Sequence, residues 1–462
     1  MREEAQMIIK NVTVIDGTGT TPRPGMDVLI DAGRFADIRP VGTGAGTGTG
    51  TGSGTAAASG GSGDEPVLDG RGGYLLPGLW ETHTHLTVLG MPVTEIPASM
   101  RETLAGYLQM GITSVCDLGG LYLLPRSERE TGRANGTAPA VFCARAAFTG
   151  VNGWPANSRD SGDIQDSRDS FPEPVKVAGL ENGGLFQIDD ADTARRHVQE
   201  LLDKVDYIKC MFDGATGGTG RRLPRAALDA IIDATHEAGK KVLVHIATGA
   251  DLVEAVQAGA DCIEHSPIPR DPADLSEAEQ LAEVLAEAGT HYCPTIVTWE
   301  QLGRGGDPEY LDELIADGML QPDGVAEITA RPGYGKPFPH HPADKMKVRF
   351  DYAMHSLHLF HEAGVKLVAG SDIAPVLPTP AHALLRELQL FAKAGLPCGE
   401  IIATATSRAA EKIGKRGSMG TITVGADADA ILLDADPLTD IAHLIDPRHH
   451  RAVISAGHLV HR

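Results

Sequence analysis

The sequence predicts an α/β protein: a (β/α)8 barrel of parallel strands with a small β-sandwich domain formed by both chain termini. Three observations predict it. A helix-like segment ends in a glycine six times before a new element begins, at Gly111, Gly239, Gly259, Gly289, Gly364 and Gly395. A short apolar run follows each of the first five, and a polar residue stands at its end: Asp117, His245, His265, Thr295 and Asp372. The two ends of the chain instead alternate apolar and polar residues over short stretches. Glycine takes the left-handed conformation past a helix without a Cβ penalty, and repeated strand–helix units with right-handed crossovers build parallel sheets.

Taken in order, "MIIKNVTVID", "DVLIDAGRFADI" and "PVLDGRGGYL" read as period-two strands, as do "DAILLDADP" and "RAVISAGHLVHR" at the far end. Residues 1–76 and 416–462 are therefore expected to pair into the small domain, with the barrel over 77–415. Residues 42–63 contain only Gly, Thr, Ala and Ser, too little apolar surface to offset ordering entropy, and are expected to form a disordered loop. Every glycine from 42 to 54 falls at an even position, so the phosphate-binding spacing G-x-G-x-x-G never occurs there. Two connections exceed the short-loop rule, 148–190 and roughly 298–350. Both follow strand candidates on the face where barrels build their sites, so they are expected to cover or shape a pocket.

Composition narrows the function classes. The 462 residues carry 40 basic and 62 acidic side chains, a net charge of −22, which disfavours nucleic acid and anionic membranes as partners. A small-molecule substrate is expected, and a homo-oligomer is left open. The first residues have no signal-peptide core, and no apolar run approaches the ~18 residues of a membrane span, so a cytoplasmic location is expected. Cys116, Cys143, Cys210, Cys262, Cys293 and Cys398 are scattered without a C-x-x-C pair and read as reduced packing residues.

The chemistry lies at the strand ends. In "WETHTHL", His83 and His85 stand two apart, and on a strand such residues face the same way and can reach one ion. His245 closes "KVLVHI", His265 closes "DCIEHS" and Asp372 closes "LVAGSD". Imidazole suits zinc and its neighbours, and an added carboxylate fits an open catalytic site. Lys209, inside the apolar run "DYIKCMF", is a cation where burial penalises charge. One solution is carbamylation by carbon dioxide, which makes it a carboxylate able to bridge two metals; a salt bridge to Asp206 or Asp213 is the alternative.

The ordered set "ETHTHL", "DYIKCMFDG", "LVHIAT", "CIEHSP" and "VAGSD" resembles the metal-dependent amidohydrolase superfamily. It is most similar in pattern to the branch holding imidazolonepropionase-like enzymes and binuclear Xaa-Pro dipeptidases, a prolidase-like branch, and the tail from Glu400 to Ile441 is similar to that branch's return into its β-sandwich. The resemblance implies two divalent ions, zinc being the expected metal. His83, His85 and Asp372 would hold one and His245 and His265 the other, with carbamylated Lys209 as the bridge. It implies hydrolysis of a C–N bond in an amide, N-acyl amino acid or dipeptide-like molecule by a metal-activated hydroxide, with Asp372 as the proton shuttle. Lactone or phosphotriester hydrolysis, mononuclear deamination and a non-catalytic scaffold are the alternatives. Trp154, Trp299, Tyr334 and the backbone of Gly217 and Gly218 are the candidate substrate contacts.

Overall fold

The computed structural model describes residues 6–43, 66–86, 96–120, 124–154, 184–216, 221–331, 334–335, 342–372 and 377–461. Apart from Gly42 and Thr43, the expected disordered loop 42–63 lies outside these residues, as do Gly217, Gly218 and most of the 148–190 connection.

Both chain ends enter one mixed eight-stranded sheet. Met7–Val14 pairs antiparallel with Arg23–Asp31, and parallel with Val67–Asp69 and Tyr74–Pro77. Tyr74–Pro77 pairs antiparallel with Ala430–Leu433, which continues into His450–Ser455 and His458–His461. The terminal strands thus share a single hydrogen-bonded sheet, and a bridge from Arg34 to Asp427 links the first hairpin to the returning chain. Ile9, Val28, Phe35, Leu75, Leu432 and Ile454 bury a core of their own within it.

The remaining strands form two parallel sheets. Leu79–Thr84, Ile112–Asp117 and Ala140–Cys143 make one. Ala147–Gly150, Ile208–Phe212, Val242–Ile246, Cys262–Glu264, His291–Cys293 and Lys366–Leu367 follow in order in the second, with Leu185–Ile188 added at its outer edge. The ladder breaks at Arg145, whose φ of 58° kinks the chain between Cys143 and Ala147. At the opposite edges a parallel bridge joins Thr84 to Asp372. These strands are almost wholly buried and apolar, as parallel sheets covered on their faces must be.

The predicted helix stops are in place. All six glycines past helix-like segments take φ between 66° and 98°. The helix Gly249–Ala258 is closed at both ends, by a Thr248/Asp251 capping box and by Gly259. Gly78 serves a different purpose, because a Cβ there would stand 2.2 Å from Thr113 Oγ1 where the chain passes from the small sheet into the first parallel strand.

The 298–350 connection, read from the sequence as a long connection over a pocket, carries secondary structure of its own. Its described part is helical, in Ile296–Arg304, Pro308–Ala316, Val325–Thr329 and Ala343–Glu362. The first of these is capped from afar: the buried Glu387 carboxylate accepts the Ile296 and Val297 N–H groups at 2.9 and 2.7 Å. A cap supplied 90 residues later leaves no local sequence signal. Among the described residues no helix is long and apolar enough to cross a membrane. All six cysteines are free, and five are buried.

Candidate active site

The C-terminal ends of the parallel strands bring the predicted histidines together. Each ring has one nitrogen already occupied. His83 Nδ1 lies 2.7 Å from the Glu264 carboxylate, His85 Nδ1 2.6 Å from the Gly119 carbonyl and His265 Nδ1 2.8 Å from Thr295 Oγ1. His245 is held by the other nitrogen, its Nε2 standing 3.1 Å from the Asp213 carboxylate. The nitrogens outside these anchors are Nε2 on His83, His85 and His265, that of His85 facing Asp372, and Nδ1 on His245. A hydrogen bond at one ring nitrogen fixes tautomer and orientation, as metal-ligating imidazoles require.

The rings are mutually close. The centroid of His265 is 4.7 Å from that of His83 and 4.5 Å from that of His245, while His83 and His85 are 5.8 Å apart. Asp372 Oδ1 completes the group, 3.3 Å from His85 Nε2 and 3.7 Å from His83 Nε2. Among the described residues, His83, His85 and Asp372 offer ligand atoms all within 4.8 Å of one another. Burial pushes the His83 imidazole down to about 4, so it is neutral and able to donate a lone pair. Burial alone would raise the Asp372 carboxyl, but the hydrogen bond from His85 holds it below the usual carboxylate range.

Backbone strain marks the same strand ends. His265, Thr295 and Asp372 are non-glycine residues with φ of 78°, 49° and 58°. Such conformations cost about 1–3 kcal/mol each and persist where the surroundings over-determine them. Gly370 makes the last approach possible, since a Cβ there would stand 2.8 Å from His83 Cβ.

Lys209 is buried in its strand, and its Nζ has no hydrogen-bond partner among the described residues. The salt-bridge alternative is not what forms: Asp206 accepts the Cys143 N–H, and Asp213 faces His245. Burial lowers the Lys209 pKa, favouring the neutral amine, the form that adds carbon dioxide. An orphaned amine, four anchored imidazoles and an ionised carboxylate are a donor set that fits a pair of divalent ions with a carbamate between them.

Four supporting residues escaped the sequence reading. Lys412 Nζ pairs with Glu264 Oε1 at 2.7 Å, both side chains fully buried, and also reaches the Thr82 carbonyl at 3.1 Å. Glu264 thereby links Lys412 to His83. Glu81 accepts the His83 and Ser371 N–H groups and the Ser371 hydroxyl, tying the first strand to the last, and burial pushes its carboxyl up to about 7. Arg349, on the helix Ala343–Glu362, lies over the Trp299 ring at 3.6 Å. The acids had a readable signal, since "WETHTH" and "CIEHS" each place a carboxylate within two positions of a site histidine inside a buried run; Lys412 and Arg349 had none. A second cluster, His83, Glu264 and Cys293, is a poor ion site, because Glu264 already holds a cation and burial raises the Cys293 thiol well above its ordinary value.

The candidate substrate contacts separate. Trp299 is buried with its ring 5.6 Å from that of His265, so it borders the site. Trp154 is half-buried, and its carbonyl accepts the Thr149 hydroxyl. Tyr334 is half-buried against the main hydrophobic core. Gly217 and Gly218 fall outside the described residues.

Comparison with known proteins agrees with this geometry. The model of the amidohydrolase family matches residues 74–460. The ochratoxinase of Aspergillus niger is 25% identical over 409 residues, 83% of this chain and 75% of that protein. A prolidase solved with N-methylphosphonate-L-proline superposes with a TM-score of 0.73 at 24% identity, covering 99% of this chain and all (100%) of the other. A Xaa-Pro dipeptidase with bound methionine gives a TM-score of 0.70 at 21% identity over 98% and 99% of the two chains. With its histidines, lysine and aspartate gathered at the parallel strands and its length matched from the small sheet to the last strand, the chain belongs to the amidohydrolase family and is a hydrolase acting on carbon–nitrogen bonds.

Proposed function

We infer that the protein is a binuclear metal-dependent hydrolase that cleaves the C–N bond of an amide, N-acyl amino acid or dipeptide-like molecule. The observation that carries this reading is the pairing of four imidazoles, each anchored through one nitrogen, with a buried lysine that has no partner. His83, His85 and Asp372 would hold one ion and His245 and His265 the other, with Lys209, as its carbamate, supplying a carboxylate to the pair. Zinc is the metal that an imidazole-rich, open set of this kind favours. Such ions supply Lewis acidity toward the scissile carbonyl and lower the pKa of water. The parallel strands act as one closed (β/α)8 barrel over 77–415, with Ala140–Cys143 and Ala147–Gly150 as one strand kinked at Arg145 and the ends joined at Thr84–Asp372, and residues 1–76 and 416–462 form its β-sandwich companion.

The chain's own part is to orient and to move a proton. Asp372 Oδ1, held ionised by His85, accepts the proton of the attacking water and delivers it to the leaving nitrogen. Water is thereby added across the bond: the oxygen stays on the acyl carbon as a carboxylate and the amine leaves protonated. Glu264 and Lys412 fix His83, and Glu81 with Gly370 fixes the approach of the last strand to the first. Free, mostly buried cysteines suit a reducing compartment, the cytoplasm. The relatives named ochratoxinase, prolidase and Xaa-Pro dipeptidase support an amide or dipeptide-like substrate.

The test is metal content per chain, by elemental analysis, for protein purified in bicarbonate. Two zinc ions in the wild type, falling to one or none in Lys209→Ala, is the expected result. One ion in both would overturn the bridged pair and move mononuclear deamination forward.

A further inference from the structure

Arg349 is a charge without a counterion. Its side chain is buried, and no carboxylate among the described residues lies within ion-pairing distance of it. The guanidinium is nevertheless pinned. It lies over the Trp299 ring at 3.6 Å, and its Nε donates to the Ser266 carbonyl at 2.6 Å, with Nη2 donating to the same oxygen. These contacts hold the plane of the fork but neutralise nothing, and they leave Nη1 with no protein acceptor among the described residues. Ser266 directly follows His265, and Trp299 packs on the His265 ring, so the free end of the guanidinium belongs to the wall of the catalytic site. Burial lowers the pKa of Arg349 to about 9, against the pull of Asp213 and Asp372, so the group stays cationic at neutral pH at a cost in stability.

Buried guanidinium groups are normally paired, because desolvating the charge is otherwise uncompensated. The planar fork matches a carboxylate, and stacking on an indole has already removed much of the rotamer entropy that binding would cost. We propose that Arg349 docks a carboxylate carried by the substrate next to the scissile amide, so that the substrates are N-acyl α-amino acids or dipeptides and not neutral amides. In these molecules the carboxylate carbon is three bonds from the scissile carbonyl carbon. One group therefore sits on the arginine while the other is presented to Asp372 and the histidines. This assignment rests on the C–N hydrolase reading above and narrows its substrate.

The test uses the metal-loaded full-length enzyme and a panel of N-acetyl amino acids, each paired with its neutral N′-methylamide. The wild type should favour the acid by about 100-fold in kcat/KM, the scale of losing one partner of a buried charge pair. Arg349→Met should lose that preference, its acid-to-methylamide ratio of kcat/KM falling toward one. Binding gives a second readout: the free amino acid product should raise the melting temperature of the wild type and not that of Arg349→Met. Equal rates on acid and methylamide in the wild type would overturn the carboxylate dock and leave the hydrolase reading intact, and this comparison needs no variant to fold. A panel with no turnover at all, on enzyme that binds its two ions, would instead count against the hydrolase reading. Stabilisation of both proteins alike by the amino acid would exclude Arg349 as its site.

Discussion

The two ends of the parallel sheet use the same residue types to opposite effect. At the N-terminal ends, Asp261 takes His236 Nε2, Lys241 Nζ and the Val242 N–H, each at 2.8 Å, so both of its oxygens are filled. Nearby, Glu411 is paired with Lys366 at 2.7 Å, and His291 stands 4.0 Å away. At the C-terminal ends four histidines are each anchored through one nitrogen, the other nitrogens of His83 and His85 face Asp372, Lys209 has no hydrogen-bond partner among the described residues, and Arg349 has no counterion there. One end closes its polar groups on themselves. The other keeps valences open, and it also holds left-handed His265, Thr295 and Asp372. Unmet demand for partners, more than the presence of histidines, separates a site from a structural cluster.

Breaking the open end should have the largest effect. Asp372→Asn, His245→Ala and Lys209→Ala are each expected to lower kcat at least about 1,000-fold in protein that keeps its circular dichroism spectrum, because each removes a proposed ligand or the proposed proton carrier. Retention of activity in Lys209→Ala would end the analogy between this lysine and a ligand. Next in size is Lys412→Met, which leaves the buried Glu264 carboxylate uncompensated. A loss of about 3–5 kcal/mol in denaturant unfolding is expected, together with zinc affinity weaker by about 10–100-fold in chelator competition. Adding Glu264→Gln should recover stability without recovering zinc affinity. Recovery of both would mean that the pair only fills space.

The closed end should respond weakly and differently. Burial holds His291 down to about 4, below an unfolded value near 6.5. Its contribution to stability is therefore complete above pH 6.5 and is lost as pH falls from 6.5 toward 4. Denaturation at pH 7.5 and pH 5 should show a smaller drop for His291→Leu than for the wild type, with activity at neutral pH unchanged. Smallest of all is His236→Gln, which removes one exposed partner of Asp261; a change under about 1 kcal/mol and unaltered kcat/KM are expected. A large activity loss there would mean that the two ends communicate.

Much of this was readable before any coordinates. His83, His85, His245, His265, Asp372 and Lys209 could be named because ligands must stand at strand ends, and strand ends are marked by the glycine that opens each unit and the apolar run that follows it. The six glycines were legible for the same reason: their conformation is dictated locally. Lys412 and Arg349 were not, since each lies on a helix and owes its place to partners 148 and 83 positions away in sequence, Glu264 and Ser266. The helical character of 298–350 was hidden by a cap from Glu387, and the fastening of His245 by Asp213 reversed the partner expected for that aspartate. What can be read is what neighbours in sequence decide; what cannot is the fastening supplied by tertiary contacts.

The Lys412 tether also sets a schedule for biosynthesis. His83 and His85 leave the ribosome early, but the lysine that braces the first strand follows 330 positions after Thr82, and Ala430–Leu433, which locks Tyr74–Pro77 into the small sheet, follows later still. At translation rates of roughly 5–20 residues per second, the first two histidines wait about 15–65 seconds for their brace. A nascent chain therefore carries this pair of imidazoles without its brace for most of its synthesis, and the ring geometry of the site belongs to the released, closed protein.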